Sequence, residues 1–267
     1  MQFKNKLAVV TGGASGIGKG VSKLLLERGA RIAVIDLTEK GLFSAVSSLK
    51  ENTGNISTFV CDVTNRNSLE KTVNSIESEL GHIEILVNAA GVIAAKGFED
   101  TLISRIEDWD LTYSVNVKGT VIASELIAEN MKLRRRGKIV NIASHGGRRG
   151  AGGSLSAYTA SKAAVIHYTQ SLAIDMAPHN INVNSVCPGT IWTPMWEQIA
   201  ERRIRSNSKM KGMTPREVYD KFIEEECPMK KEQTVEDVAK AVAFFASEDA
   251  NVITGQSLNV NGGTRMD

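Results

Sequence analysis

The chain has 267 residues, with 32 Lys and Arg against 30 Asp and Glu, a formal net charge of +2. That balance argues against a general nucleic-acid binder, whose phosphate contacts need a concentrated basic excess. At 42% hydrophobic and 23% charged residues, the composition is that of an ordinary globular protein with a sizeable core.

Met1 to Lys6 runs straight into a strand-like segment, without the charged-then-apolar layout of a signal peptide. No stretch approaches the roughly 20 apolar residues that span a bilayer, so no membrane partner is expected. Cys61, Cys187 and Cys227 lie far apart with no CxxC. They read as small packing residues kept reduced, which suits a cytoplasmic location. With 5 prolines, no linker and no repeat, one continuous domain over residues 1–267 is expected.

In chain order, Leu7 to Val10 reads as a strand ended by a glycine-rich turn, and Gly18 to Glu27 as a helix. Strand Arg31 to Ile35 and helix Thr38 to Glu51 follow. Next come strand Ser57 to Cys61 and helix Ser68 to Leu80, opened by a Ser cap. Ile83 to Val87 is a strand, Glu107 to Leu133 a long helical region and Lys138 to Ile142 a strand. Ala157 to Met176 is a helix stopped before Pro178, and Ile181 to Val186 a strand. Val235 to Ser247 is a helix capped near Thr234, and Ser257 to Val260 a last strand. Alternating strands and helices predict an α/β fold: a Rossmann-like doubly wound parallel sheet of about seven strands. Its ligands would bind beyond the carboxyl ends of the strands.

The first turn reads Thr11-Gly12-Gly13-Ala14-Ser15-Gly16-Ile17-Gly18. Glycines there let backbone approach a pyrophosphate seated on the following helix N-terminus. The spacing is GxxxGxG, a departure from the GxGxxG fingerprint. Asp36 ends the second strand, where a carboxylate can bind the adenosine ribose hydroxyls and favours NAD over NADP. The alternative is an Asp that caps the helix from Thr38.

Tyr158 and Lys162 stand at i and i+4, on one face of a helix. A close ammonium is expected to lower the phenol pKa and to make Tyr158 a usable acid-base group. Ser144 follows an apolar strand and could hold the reacting oxygen, or could be a turn hydroxyl entering the loop Gly146 to Gly153. Asn116 is unfavourable in a helix interior unless its amide has a task.

With these residues in place, the chain resembles the short-chain dehydrogenase/reductase family, in its shorter single-domain branch. Thr11 to Gly18, Asp62-Val63, Asn88-Ala89-Ala90-Gly91, Asn116, Ser144, Tyr158 with Lys162, and Pro188-Gly189 carry the resemblance, in the family's order. It extends to the segment Thr254 to Gly263. The resemblance implies Tyr158 as general acid-base, with Lys162 binding the nicotinamide ribose. Ser144 would orient the substrate oxygen, and Asn116 would hold a water linking Lys162 to solvent. Gly12, Ser15, Gly16, Ile17 and Gly18 would hold the pyrophosphate, Asp36 and Leu37 the adenosine side, and Asp62 and Val63 the adenine. Asn88, Ala89, Ala90 and Gly91 would line the cofactor. Pro188, Gly189, Ile191 and Thr193 would meet the nicotinamide carboxamide. The family commonly forms homotetramers through long helices, here near Glu107 to Leu133 and Ala157 to Met176.

From Thr190 to Pro228 the alternation lapses, where the family keeps its substrate lid. Trp192, Met195, Trp196 and Ile199 recur near helical spacing and suggest an apolar cover. The run Arg202, Arg203, Arg205, Lys209 and Lys211 reads first as a solvated face. The other reading lets one of these cations, or Arg148 or Arg149, meet a phosphate or carboxylate on the substrate. His145 is expected in the pocket wall. His82, His145, His167 and His179 show no ligand spacing, so no metal is expected. The implied activity is NAD-dependent interconversion of a secondary alcohol and a ketone. The lid wording resembles members acting on polyols, acetoin or sugar alcohols. Alternatives are a 3-oxoacyl-carrier-protein reductase, a hydroxysteroid dehydrogenase and, in another class, a non-enzymatic NAD(H) redox sensor.

Overall fold

Apolar runs become strands here, and the five inner ones are covered on both faces by helices. In the computed structural model of the protein, residues 1–48, 55–150 and 155–266 are described. Strands β1 (Leu7–Thr11), β2 (Arg31–Asp36), β3 (Ile56–Val60), β4 (Ile83–Asn88), β5 (Gly137–Ile142), β6 (Ile181–Pro188) and β7 (Ser257–Val260) form one sheet. The order is β3-β2-β1-β4-β5-β6-β7, all parallel. The order reverses at β1 and β4, which leaves a crevice beyond their carboxyl ends. Register brings those ends level: Thr11 pairs with Asn88, Asn88 with Asn141 and Asn141 with Ser185.

Strand alternation divides the core into two layers. Ala8 and Val10 of β1 pack in a cluster with α1 (Gly16–Glu27) and α9 (Val235–Ala246). Leu7 and Val9 face the other way. They join α3 (Arg66–Leu80), α5 (Thr120–Arg134) and α6 (Ser156–Met176). Fully buried strands such as β5 read as continuous apolar runs for this reason. No helix among the described residues is long and apolar enough to cross a membrane.

Several elements differ from expectation. Helix α2 is Glu39–Ser48, and residues 49–51 of the expected helix lie outside the described residues. Helix α3 starts at Arg66, with Asn65 rather than a serine as cap: its side chain accepts from the Ser68 N–H at 3.0 Å. The helical region after β4 divides into α4 (Ile106–Thr112), a π-helical stretch Tyr113–Gly119 and then α5. Thr234 caps α9 through a capping box with Asp237, as its spacing suggests.

The segment between β6 and α9 folds into α7 (Pro194–Ser206) and α8 (Pro215–Glu226) around a core of its own. Trp196, Ala200, Val218, Tyr219, Ile223 and Cys227 are buried there, apart from both sheet layers. The excursion leaves and returns beside a single β-bridge between Ile191 and Gln233.

Candidate active site

The turn after β1 approaches its neighbours too closely for side chains. Gly12 has φ +63° and Gly16 φ +49°, in the left-handed region. A Cβ on Gly12 would stand 2.6 Å from the Ala90 Cα, and one on Gly18 would overlap the Gly12 carbonyl oxygen. Helix α1 starts at Gly16, and its N-cap Ser15 makes no side-chain capping bond. Its first N–H groups therefore remain available to an anion. Asp36 does not cap α2: its carboxylate accepts the Ala14 N–H at 3.0 Å and the Leu37 N–H at 2.8 Å. Thr38 takes the capping role instead, accepting from the Gly41 N–H at 3.2 Å.

A cleft of about 830 Å³ runs from this turn along the carboxyl ends of the strands. Gly12, Ser15, Gly16, Ile17, Gly18, Asp36, Leu37, Asp62, Val63, Ala89, Ala90, Gly91, Pro188, Gly189, Ile191 and Thr193 line it. So do Ser144, His145, Tyr158, Lys162 and Trp196. These fit a dinucleotide: a glycine cradle with an uncapped helix start, then a carboxylate, then an apolar channel.

Three expected residues lie elsewhere. Asn88 is buried below the cleft, its Nδ2 donating to Ser124 Oγ and Asn141 Oδ1, both at 2.9 Å. Asn141 continues the chain to Thr169 Oγ1 at 2.9 Å. Asn116 is fully buried behind the wall. Its Oδ1 accepts from the Val92 N–H at 2.8 Å, and its Nδ2 donates to the Val92 carbonyl and Ser161 Oγ, both at 2.9 Å. Those bonds tie the amide to the segment that follows β4 and to α6, and the π-helical stretch carries it there. Trp192 belongs to the core of the excursion. It packs edge-on to Tyr219 at 5.2 Å between ring centroids, with the Arg216 guanidinium 5.3 Å from its ring centroid.

Tyr158 and Lys162 do share one face of α6. Lys162 is buried, and its Nζ donates to the Ile142 carbonyl at 2.8 Å and lies 5.9 Å from the Tyr158 ring centroid. Burial pulls its pKa down to about 8. The Tyr158 phenol departs from expectation. Burial pushes its pKa up, and the hydrogen bond from Ser144 only partly opposes this. Loss of solvent around the phenolate outweighs an ammonium that is aimed at a backbone carbonyl. Ser144 Oγ accepts from the Gly146 N–H at 3.0 Å, which leaves its own proton free to donate.

The cationic run divides by partner. Arg202 donates to the Thr101 carbonyl at 2.9 Å, and Arg205 meets Asp100 at 2.5 Å. Arg203 alone of the run lines the cleft, with its guanidinium 4.6 Å from the Phe222 ring centroid. Arg148 turns inward to the Ser257 carbonyl, whereas Arg149 lines the cleft. Phe222, Glu226, Thr264 and Arg265 are wall residues that the sequence did not single out. Phe222 carried a weak signal, as an aromatic at helical spacing in the excursion. Thr264 and Arg265 carried none, because only the return of the chain after β7 brings them there.

His145 sits beside Ser144 with its Nδ1 buried and without a hydrogen-bond partner among the described residues. Burial first, and then the charge of Arg265, lower its pKa from 6.5 to about 4. The folded protein thus prefers neutral His145, and the unfolded chain binds the proton more readily. Stability from this group is fully present above pH 6.5 and is lost as pH falls towards 4. The loss amounts to about 3 kcal/mol at most. Thermal melts from pH 7 to 4 should show this decline, and His145→Gln should flatten it. An identical pH profile in the variant would assign the decline to other groups.

The sequence model of the family described as enoyl-(acyl carrier protein) reductase matches residues 12–265. The chain is 34% identical over 266 residues to a 3-oxoacyl-[acyl-carrier-protein] reductase of Thermotoga maritima, covering 98% of this chain and 99% of that one. It is 35% identical over 262 residues to cyclopentanol dehydrogenase of Comamonas sp., covering 98% of each. Among solved structures, NAD+-bound xylitol dehydrogenase superposes with a TM-score of 0.88 at 30% identity, covering 98% of this chain and 100% of that one.

Proposed function

Because the chain belongs to the short-chain dehydrogenase/reductase family, and so to oxidoreductases acting between CH–OH and keto groups, we propose that it is NAD-dependent. We also propose that its substrate is a polyol, sugar alcohol or hydroxyketone. The observation that carries the reading is the Ser144, Tyr158 and Lys162 group at the end of β5, in one cleft with the glycine turn and Asp36. The turn from Gly12 to Gly18 would hold the pyrophosphate and Asp36 the adenosine ribose. Asp62 and Val63 would hold the adenine, and Pro188 to Thr193 the nicotinamide side. When bound, the cofactor gives or takes the hydride.

The protein's own part is position and a proton. Burial keeps Tyr158 a neutral phenol, the form that gives a proton to a ketone oxygen. The one Ser144 proton, shared with Tyr158 before the substrate enters, would turn to that oxygen and hold it in place. The phenolate left behind would be stabilised by the Lys162 ammonium and, once the alcohol leaves, again by Ser144. In the alcohol direction the proton returns to Tyr158. Asn116 acts at one remove, by fixing Val92 and Ser161 around Lys162. Helices α7 and α8 would cover the substrate, with Trp196 and Phe222 as the apolar ceiling.

The cofactor choice rests on Asp36, whose negative charge would face a 2′-phosphate. Asp36→Ala should lower the ratio of NAD to NADP efficiency by about ten-fold or more, read from kcat/KM on both cofactors. An unchanged ratio would show that the ribose assignment is wrong. A 3-oxoacyl thioester substrate is a second reading, favoured by the relative that is 34% identical. Faster turnover of an acetoacetyl thioester with NADPH than of xylitol with NAD would select it.

A further inference from the structure

The two ends of the cleft differ in charge. Asp36 and Asp62 stand at the end assigned to the adenosine, whereas Arg149, Arg203 and Arg265 stand with one carboxylate, Glu226, among the walls beyond the strand ends. Arg265 is placed at the substrate end by its action on His145, which adjoins Ser144. Arg203 is reached along α7: from Pro194, beside the wall assigned to the nicotinamide, the helix advances about 13 Å to Arg203. Arg203 thus stands well along α7 from the wall assigned to the nicotinamide, where Phe222 and Glu226 of α8 also line the cleft.

The setting of Arg203 is unusual for a structural cation. Its guanidinium lies over Phe222 at 4.6 Å and near Trp196 at 5.7 Å from the ring centroids. Contacts with ring faces satisfy none of the guanidinium N–H donors, which still call for acceptors. Among the described residues no hydrogen bond or ion pair engages those donors. Its neighbours in the run are both engaged, Arg202 with Thr101 and Arg205 with Asp100. Glu226 influences Arg203 only through space and is exposed. Donors partly withdrawn from water and left without acceptors are costly, and an oxyanion would satisfy them in pairs.

We propose that the substrate carries an anionic group, a carboxylate or a phosphate ester, and that Arg203 receives it at the outer wall of the cleft. The proposal rests on the dehydrogenase reading above and narrows it to the anionic members of the hydroxyketone and sugar-alcohol class. Trp196 and Phe222 hold the guanidinium in place, so little side-chain freedom is lost when the anion binds.

The test separates binding from chemistry. The NADH complex of the Tyr158→Phe protein is titrated, by NADH fluorescence, with two matched pairs: 4-oxopentanoate against 4-oxopentanamide, and hydroxyacetone phosphate against hydroxyacetone. One anion is expected to bind about ten- to a hundred-fold tighter than its neutral partner, and which pair responds tells carboxylate from phosphate. Arg203→Met, added to that protein, should erase the difference and leave the neutral ligands within about two-fold, while Arg203→Lys should keep part of it. The proposal is overturned if neither anion is preferred, or if Arg203→Met weakens neutral and anionic ligands alike, as a purely structural residue would. Failure of the parent protein, with Tyr158 intact, to bind NADH would instead overturn the dehydrogenase reading, and this proposal with it.

Discussion

Tyr158→Phe is expected to lower kcat by about a thousand-fold while leaving the affinity for NADH within about two-fold. The substitution removes one oxygen and keeps the ring, so the cleft wall and the 5.9 Å contact with Lys162 survive. What disappears is the only group among the described residues that is hydrogen-bonded to Ser144 and can pass a proton to a ketone oxygen. The measurement is steady-state turnover beside an NADH titration. Turnover within ten-fold of the parent would sink the acid-base assignment. Lost NADH binding would show that the hydroxyl serves the cofactor rather than the proton.

Gly18→Val should weaken NADH binding by about a hundred-fold or more and lower the Tm by roughly 5 °C. A Cβ at this position overlaps the Gly12 carbonyl oxygen, and both belong to backbone with no side chain to yield. The turn must open, which moves the uncapped start of α1 away from the place where an anion would sit. Gly150→Ala is the matched control: it also lines the cleft, but no described residue stands within 4 Å of a Cβ there. The control should bind NADH like the parent. A Gly18→Val protein with unchanged affinity would show that the turn is not the pyrophosphate cradle.

The parallel sheet was legible because its signal is local. Runs such as Ile85-Leu86-Val87 pack on both faces, and helices such as α1, α3 and α9 show one apolar stripe each. The glycine turn and the Tyr158 and Lys162 spacing were legible for the same reason: each lies within one turn or one helix. What escaped depends on contacts distant in sequence. Nothing in Glu107 to Leu133 shows that one π-helical stretch interrupts it, because that follows from where the Asn116 amide meets Val92. Asn88 belongs to a cofactor-like stretch, yet its side chain finds Ser124 and Asn141 beneath the cleft. Trp192 and Trp196 share an apolar pattern and both pack edge-on to Tyr219, but only Trp196 also reaches the cleft. The Tyr158 pKa went against the expected direction because burial dominates it, and the i, i+4 rule gives proximity and not aim. The ammonium points at the Ile142 carbonyl.

The excursion between β6 and α9 has its own buried cluster, and its two ends are pinned side by side by the bridge from Ile191 to Gln233. A segment built this way behaves as an exchangeable cassette. Its length and sequence can be replaced wholesale, provided the ends still meet at that bridge, because the cost of closing a longer loop grows only slowly with length. Redesign of substrate choice can therefore be confined to residues 194–232, with Thr193 kept for the nicotinamide side, and the seven-stranded sheet and the proton-transfer group on α6 need not be re-optimised.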